Sequence, residues 1–349
     1  MSDWVFVRRV LTVLAIGALA LALWTLSDLL LLIFAAVLSA IALRALAAPL
    51  AEGTGMREPL ALMAVVLLLV TFAAALVLQF GSLISEQTVY VLQNAPAALQ
   101  SLAQALGLDL NSLSRDFGGS ALGALASRAV TIGSSIIEGV AAFILVVVGG
   151  LYLAAAPQTY RRGLIALFPE RWHKPISSTV DDSAFALTRW LRAQLIAMAL
   201  VGTMTGLGMW LVGVPSPLAL GLIAGVTEFI PIVGPIVGAI PALLLASSSG
   251  WELTLAALAV AVVVQQLENN LIMPFVVGRV VELPAAVGLF ATVAMGLLFG
   301  PLGLLLGYPL AIVADVTIRR LYVREALGKT VEIPAERERH AEAEAKPAA

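Results

Sequence analysis

The sequence predicts an all-α, polytopic integral membrane protein. Of its 349 residues, 60% are hydrophobic and only 12% are charged, and the mean hydropathy is +1.00. Soluble domains carry about a quarter charged residues, so this composition excludes an ordinary soluble fold. The apolar residues form long runs separated by short basic segments, which is the pattern of helices that cross a bilayer. The lipid bilayer is therefore the first partner that we expect.

Several function classes are disfavoured by the residues that the sequence lacks. The net charge is −2, whereas binding to nucleic acid requires a basic surface. The chain has no cysteine, and its two histidines, His173 and His340, lie far apart, so we expect neither a metal site nor a cofactor. Phosphate-binding loops and hydrolase or zinc-protease motifs are absent from the sequence. The sequence argues against an enzyme and against an ATP-driven pump.

The apolar runs and the polar segments between them predict six regions. In order, they are three membrane spans in residues 1–79, an amphipathic extracytoplasmic segment in 80–131, a fourth span in 132–156, a basic amphipathic cytoplasmic linker in 157–192, a C-terminal membrane bundle with broken helices in 193–318, and a charged cytoplasmic tail in 319–349. Two glycine-rich stretches, Val201 to Gly213 and Gly296 to Gly307, are typical of helix contacts in lipid.

The distribution of arginine predicts the orientation in the membrane. Arg8 and Arg9 precede the first apolar run, the linker at 157–192 is the most basic stretch, and Arg319 and Arg320 follow the last run. Because cytoplasmic segments carry an excess of Lys and Arg, we expect both termini to be cytoplasmic. The charged end from residue 336 to 349 is expected to be disordered or a frayed helix.

Two threadings fit the C-terminal bundle. In the first, residues 218–246 form a single kinked span. In the second, the same residues form a re-entrant hairpin bent at Pro231 to Pro235, and residues 285–318 form another hairpin bent at Gly300-Pro301. We favour the second threading because it places Arg279 on the cytoplasmic side.

The segment from Gly225 to Pro241 is the most unusual part of the bundle. Within an apolar stretch it carries Glu228, Pro231, Gly234, Pro235, Gly238 and Pro241. Each proline removes a backbone donor, so we expect no continuous helix here, and broken backbone at membrane depth is tolerated only inside protein or beside a wet cavity. The segment is predicted to line a permeation path, as discontinuous helices do in transporters. The alternative is a kinked packing helix with small residues at its contacts.

Glu228 is the most informative single residue, because an ionisable group within a span is costly unless it faces a cavity or a partner. It could bind substrate hydroxyl groups or carry a proton, and the alternative is a carboxylate near the interface. A second polar cluster closes the next apolar run, where Gln265, Glu268 and Asn269 share a helical face and Pro274 follows. This face is interpreted either as a polar lining for a hydroxylated solute or as a solvated helix end.

Other charged and polar residues near these segments have structural or gating interpretations. Asp315 is expected to pair with Arg319, four residues later. Arg192 is most simply a snorkelling anchor of the fifth span, with gating as the alternative. The candidate gating residues are Arg192, Gln194, Gly278 and Arg279.

Taken in order, these motifs resemble the autoinducer-2 exporter family of bacterial permeases. The resemblance rests on Glu228-Phe229-Ile230-Pro231 through Gly234-Pro235 to Pro241, on Glu268-Asn269 to Pro274 and Gly278, and on the closing Gly300-Pro301. It implies a bacterial inner-membrane protein with about eight membrane segments that forms a homo-oligomer. Some members export the quorum-sensing signal autoinducer-2, and others resemble sodium/proton antiporters. Ala193, where glycine is common in the family, leaves the substrate open.

These observations predict a secondary-type transporter that exports or facilitates passage of small polar metabolites. The alternative is sodium or lithium/proton antiport, for which Glu228 or Glu268 would titrate. A third hypothesis is a non-transporting scaffold that binds a partner through residues 80–131.

Overall fold

The computed structural model of the chain describes residues 2–71, 142–231, 233–272 and 283–338. The regular elements in these ranges are all helical, which confirms the all-α prediction. Four of the helices are long and apolar enough to cross a bilayer, and a fifth span results if Ala142–Ala155 and Pro157–Ala166, which meet at 90°, count as one. These helices make the chain a polytopic membrane protein. The amphipathic segment predicted at 80–131 lies outside the described residues.

Eleven helices lie in the described ranges. They are α1 (Ser2–Thr25), α2 (Ser27–Thr54), α3 (Glu58–Thr71), α4 (Ala142–Ala155), α5 (Pro157–Ala166), α6 (Glu170–Val212), α7 (Pro217–Thr227), α8 (Val233–Ser247), α9 (Trp251–Leu267) with a π-helical turn at Glu268–Ile272, α10 (Ala285–Thr317) with a π-helical extension at Ile318–Ala326, and a short α11 at residues 334–338. α6 passes through the predicted boundary at 192 without a break, so residues 170–192 of the basic linker and the fifth span are one helix.

α2 extends beyond the apolar run that ends at Leu43. Arg44 follows that run and does not end the helix, because its charge is held between neighbouring helices. Its Nη1 donates to the Ala154 carbonyl oxygen at 2.9 Å, and its Nη2 pairs with Glu58. Around this arginine, α2, α3 and α4 enclose an apolar cluster that includes Ala61.

α6 is the long helix against which most of the remaining described helices pack. Its first half packs with α2, α10 and the C-terminal segment in one apolar cluster, which includes Leu38, Leu191 and Ile312. Its second half packs with α7, α8 and α9 through a cluster that includes Met209 and Leu220. Helices in lipid associate mainly through close packing, so these contacts fix the positions of the broken segments relative to α6.

The first broken segment, residues 217–247, is an antiparallel pair of helices that we call the first hairpin. A Cβ added at Gly234 of α8 would lie 2.9 Å from the Glu228 Cα, and a Cβ at Gly238 would lie 3.0 Å from the Ala224 Cα. These approaches explain why the contact requires glycine. Gly221 meets α6 in the same way, with a Cβ position 2.8 Å from the Gly206 Cα, so the predicted glycine contact in α6 is confirmed.

The second broken segment, residues 285–326, is the second hairpin. Its chain reverses at Gly300, whose φ of 66° and ψ of −148° favour glycine strongly. Residues on either side of Gly300 face each other, since a Cβ at Gly303 would lie 2.9 Å from the Phe299 Cβ and one at Gly307 would lie 2.6 Å from the Thr292 Cα. The bend lies at the predicted Gly300-Pro301 step.

The C-terminal segment differs from the prediction. Residues 334–338 form a helix, and Ile333 and Ala335 are buried in the cluster that α6 and α10 share. The prediction of a disordered or frayed end is therefore wrong for residues 336–338, because the adjacent apolar residues anchor this short helix to the bundle. The remaining tail, 339–349, lies outside the described residues.

Candidate transport site

Glu228 lies at the bend of the first hairpin, immediately after α7. Its side chain is 2% exposed. The bend satisfies its own backbone: the Glu228 N–H donates to the Ala224 carbonyl at 3.0 Å, the Ile230 N–H to the Thr227 carbonyl at 3.1 Å, and the Gly234 N–H to the Ile230 carbonyl at 2.8 Å. A broken helix in a membrane requires such hydrogen bonds within its own backbone, because lipid offers the N–H and carbonyl groups no partner. The bend can therefore hold an acidic side chain inside the bundle.

The three prolines of this segment have different positions in the structure. Pro231 lies at the break, whereas Pro235 falls in the first turn of α8, where backbone N–H groups have no helical acceptor. Pro241 lies inside α8, which continues past it to Ser247. The expectation that no continuous helix spans Gly225 to Pro241 is confirmed by the break between Thr227 and Val233, although Pro235 and Pro241 both lie within α8. Gly234 and Gly238 are buried between the two arms, so the structure gives them a packing position.

Gln194 of α6 holds the bend in place. Its Nε2 donates a hydrogen bond to the Glu228 carbonyl oxygen, and both residues are buried. Two residues earlier, Arg192 is exposed. Side chains two positions apart on a helix point in different directions. Of the two candidate gating residues of α6, therefore, Gln194 reaches the site and Arg192 does not.

Glu268 brings a second carboxyl group to Glu228. It ends α9 and is 6% exposed, and the Gln265 Nε2 donates to its Oε2 at 2.9 Å. The carboxyl groups of Glu228 and Glu268 lie within hydrogen-bonding reach of each other. A hydrogen bond between two carboxyl groups requires a proton on one of them, because an ionised carboxylate only accepts.

The Glu228 side chain has acceptor capacity that the rest of the bundle does not use. Apart from the Glu268 carboxyl group, no described residue offers its buried Oε2 a hydrogen-bond donor. A buried acceptor without a partner is costly, and a solute donor or a cation would relieve that cost. The residues that face this point (Gln194, Glu228, Gln265 and Glu268) include no histidine, and the described ranges hold no cluster of three His, Asp or Glu side chains that could bind a metal ion.

The polar face predicted for α9 is only partly present. Gln265 and Glu268 hydrogen-bond as their spacing indicates, whereas Asn269 is exposed. The exposure of Asn269 fits the alternative interpretation of a solvated helix end, and a π-helical turn begins at Glu268. Pro274, Gly278 and Arg279 lie outside the described residues.

An aromatic contact joins the bend to the second hairpin. The Trp190 ring of α6 meets the Phe229 ring edge-on at 5.7 Å and stacks with the Tyr308 ring at 5.8 Å. Sequence reasoning did not select these residues, and the one available signal was that Phe229 adjoins Glu228. Any movement of either hairpin against α6 must change these ring contacts.

A separate cleft of about 980 Å³ opens between α6 and α7. It is lined by apolar and small residues, among them Gly202, Trp210 and Leu222, and it includes neither Glu228 nor Glu268. Its lining suits lipid rather than a polar solute, so we place the candidate site at the carboxyl pair instead.

Comparison with known proteins identifies the family. The model of the AI-2E family transporter matches residues 11–322 of the chain. The chain belongs to the AI-2E transporter family. This match confirms the resemblance drawn from the proline-rich and Glu-Asn motifs.

Related proteins carry transport names. The chain is 34% identical over 165 residues to the Bacillus subtilis protein named "Putative transport protein YrrI", a match that covers 47% of each chain. It is 30% identical over 145 residues to Bacillus subtilis YueF, named in the same way, covering 42% of this chain and 39% of that one. The match therefore spans about half or less of the length of these relatives. The family and the names indicate a membrane transporter rather than an enzyme.

Proposed function

We propose that this AI-2E family transporter is a secondary-type transporter that exports, or facilitates passage of, small polar metabolites. The observation that carries the proposal is the polar cluster at the break of the first hairpin, formed by the buried Gln194, Glu228 and Glu268 and the partly buried Gln265. Ionisable groups inside a membrane bundle are costly and usually mark a pathway. The hairpin bend supplies the broken backbone that transporters place at such sites.

The chemistry of the cluster favours a hydroxylated solute. The unused Glu228 Oε2 can accept from a hydroxyl group, and a side-chain amide such as that of Gln265 can donate and accept. Autoinducer-2, a small hydroxylated furanone-type signal implied by the family resemblance, is the first substrate to test. Quorum sensing would then be the process that this protein serves.

Sodium or lithium/proton antiport is the second candidate function. The observation that favours it is the contact between Glu228 and Glu268, because a carboxyl pair that shares a proton can exchange it for a cation. In this scheme Glu228 and Glu268 are the coupling groups, and Gln265 orients Glu268. Both functions use the same site. In the exporter a hydroxylated solute binds to the polar side chains, and in the antiporter a cation replaces the proton of the carboxyl pair.

The proposal includes the location and assembly of the protein. We place it in the bacterial cytoplasmic membrane with both termini in the cytoplasm, because the basic segments follow the positive-inside rule. A homo-oligomer is implied by the family resemblance. The apolar residues that α1 exposes, among them Trp4 and Leu14, are compatible with lipid or a neighbouring subunit.

Flux in proteoliposomes tests both functions together. Purified protein is assayed for efflux of labelled autoinducer-2 and for sodium-dependent dissipation of an imposed pH gradient. Glu228→Gln is compared with Glu252→Gln, which changes an exposed carboxylate at the start of α9. A hydrogen bond to a charged group is worth about 1.5–3 kcal/mol, so we expect Glu228→Gln to lose about ten- to hundredfold in flux.

The outcomes separate the candidate functions. Solute flux without sodium dependence supports the exporter, and sodium-coupled proton movement that Glu228→Gln abolishes supports the antiporter. Flux by Glu228→Gln equal to that of the wild type at every pH would contradict the role of this carboxyl group. No flux of either kind, together with capture of a defined partner through residues 80–131, would favour the scaffold hypothesis.

A further inference from the structure

The chain folds back on itself after the second hairpin. The turn occurs at Gly328, whose φ is 64°, and residues 330–338 then lie against the bundle. Ile333 is 2% exposed and Ala335 3% exposed, both within the cluster that α6 and the second hairpin form. We call residues 330–338 the C-terminal clasp. It contacts α6 and the second hairpin at once.

A chain of charged residues joins these three parts. Arg320, in the π-helical extension of the second hairpin, pairs with Asp182 of α6 and, at 3.1 Å, with Glu336 of the clasp. Arg324 pairs with the same Glu336 at 2.7 Å, and its Nη2 donates to the Val331 carbonyl at 2.8 Å. The side chains of Asp182 and Arg320 are 0% and 7% exposed.

A second ion pair attaches the far end of the clasp to α6. The Nη2 of Arg189 lies 3.7 Å from the Oε2 of Glu338. Because Arg189 and Asp182 lie two helical turns apart on α6, the clasp spans a substantial length of that helix. The second hairpin is therefore tied to α6 both directly, through Arg320 and Asp182, and indirectly, through the clasp.

The arrangement allows the clasp to detach without isolating a buried charge. If the clasp leaves, Arg320 retains Asp182, so the large cost of an unpaired buried ion is avoided. The apolar anchorage that must be released is short: it consists of the buried Ile333, Pro334 and Ala335 and the partly buried Val331. The partly exposed pairs made by Glu336 and Glu338 are individually weak.

We propose that the C-terminal clasp is a detachable restraint that holds the second hairpin against α6 and slows the transport cycle while it is attached. The second hairpin contacts the site through Tyr308 and Trp190, so a restraint on this hairpin acts on the bend that carries Glu228. This inference concerns the regulation of the transporter and rests on the proposed function for its flux measurement.

Hydrogen–deuterium exchange tests whether the clasp detaches. Glu336→Gln removes the carboxylate that binds both arginines, and Glu332→Gln is the matched control, because Glu332 lies in the same segment and pairs only across an exposed surface with Arg337. In Glu336→Gln we expect the backbone amides of residues 330–338 to exchange about three- to fivefold faster than in the wild type. In the control we expect them to exchange at the wild-type rate. Equal exchange in both variants would overturn the proposal.

Flux then distinguishes a restraint from a structural support. With labelled autoinducer-2 and the sodium-dependent pH gradient as the two probes, Glu336→Gln should transport faster than the wild type at an unchanged amount of folded protein. Faster exchange accompanied by equal or slower flux would overturn the restraint, because a support that loosens does not speed the cycle. If the wild type moved neither probe, the proposed function would fail, while exchange would still decide whether the clasp detaches.

Reversible cross-linking provides a second test, in which the clasp is locked in place instead of loosened. The sequence contains no cysteine, so Arg189→Cys with Glu338→Cys introduces the only two thiols. A short bifunctional thiosulfonate reagent should then abolish most of the flux, and reduction should restore it. Unchanged flux in the cross-linked protein would show that the clasp stays attached throughout the cycle and would overturn the proposal.

Discussion

Both hairpins pack two helical arms closely against each other, but their bends differ. Both bring their arms together at glycine: Gly234 faces the Thr227-Glu228 backbone in the first, and Gly303 faces Met295 and Phe299 in the second. The first bend has Pro231 and ends α7 at a buried glutamate. The second reverses at one glycine, Gly300, and carries no ionisable residue near its bend.

This difference indicates a division of roles. The first hairpin brings a carboxyl group into the bundle, where Glu268 and Gln194 meet it. In the second hairpin the acidic residues, Asp315 and Glu325, lie far from the bend, and Asp315 is neutralised by Arg319 at 2.8 Å, as the spacing predicts. The first hairpin therefore bears the chemistry, whereas the second is tied at its far end by charged residues and contacts the first through aromatic rings.

The largest expected effect comes from matched changes in the two sets of glycine contacts. Gly234→Ala and Gly303→Ala each place a Cβ 2.9 Å from a Cα or Cβ of the opposite arm, and each crowds a backbone carbonyl as well. Both should lower the free energy of unfolding by about 3 kcal/mol, because neither arm can yield without moving its partner. Thermal unfolding in detergent measures this loss.

Only Gly234→Ala should disturb the site beyond this loss of stability. The added Cβ meets the Glu228 Cα, whereas at Gly303 it meets an apolar residue. At a temperature where both variants are folded, we expect flux to fall at least about tenfold further in Gly234→Ala, since small displacements of positioned groups are costly. Equal residual flux in the two variants would contradict the division of roles between the hairpins.

A smaller effect is expected at the bend of the second hairpin. Gly300→Ala forces a side chain onto a backbone with a φ of 66° and a ψ of −148°, a conformation that is essentially restricted to glycine. The cost should be about 2 kcal/mol in the free energy of unfolding. Gly163→Ala in α5, where the added Cβ meets nothing within 4 Å, is the control and should be neutral or slightly stabilising. A neutral Gly300→Ala would mean that the hairpin reverses elsewhere.

Local sequence patterns predicted the parts of this fold that depend on neighbours in the chain. Gly300-Pro301 marks the second bend, Pro231 lies at the first, and Asp315 reaches Arg319 across one helical turn. Each of these follows from backbone chemistry or from helical spacing, which residues a few positions apart determine. The helical class follows in the same way from the length of the apolar runs.

Contacts between distant segments could not be predicted in the same way. Glu228 meets Glu268 and Gln194 only because α6 and α9 pack against the first hairpin, and no spacing encodes that packing. The π-helical turn at Glu268–Ile272 likewise has no signal in the sequence. Asp182 lies in a basic amphipathic stretch, and the spacing of the residues around it does not indicate that it is buried beside Arg320.

The smallest expected effect is a pH dependence at the far end of the second hairpin. Burial alone would raise the pKa of Glu336, but the hydrogen bond from Arg324 and the charges of Arg320 and Arg324 outweigh it and hold the pKa below its usual value. Asp182 faces the same Arg320 from α6 and limits this attraction. The ionised Glu336 therefore stabilises the folded state fully above the usual glutamate pKa of about 4.3, and this stabilisation is lost as pH falls through the lowered value.

Thermal unfolding at several pH values measures this contribution. At pH 7 the wild type should exceed Glu336→Gln by up to about 1 kcal/mol, because a partly exposed ion pair contributes no more than that. The difference should shrink as the pH falls well below the usual glutamate pKa of about 4.3. Glu332→Gln, whose partner Arg337 is exposed, should track the wild type throughout. A difference that stayed constant between these pH values would show that Glu336 acts through packing and not through its charge, which would remove the electrostatic link between the clasp and the second hairpin.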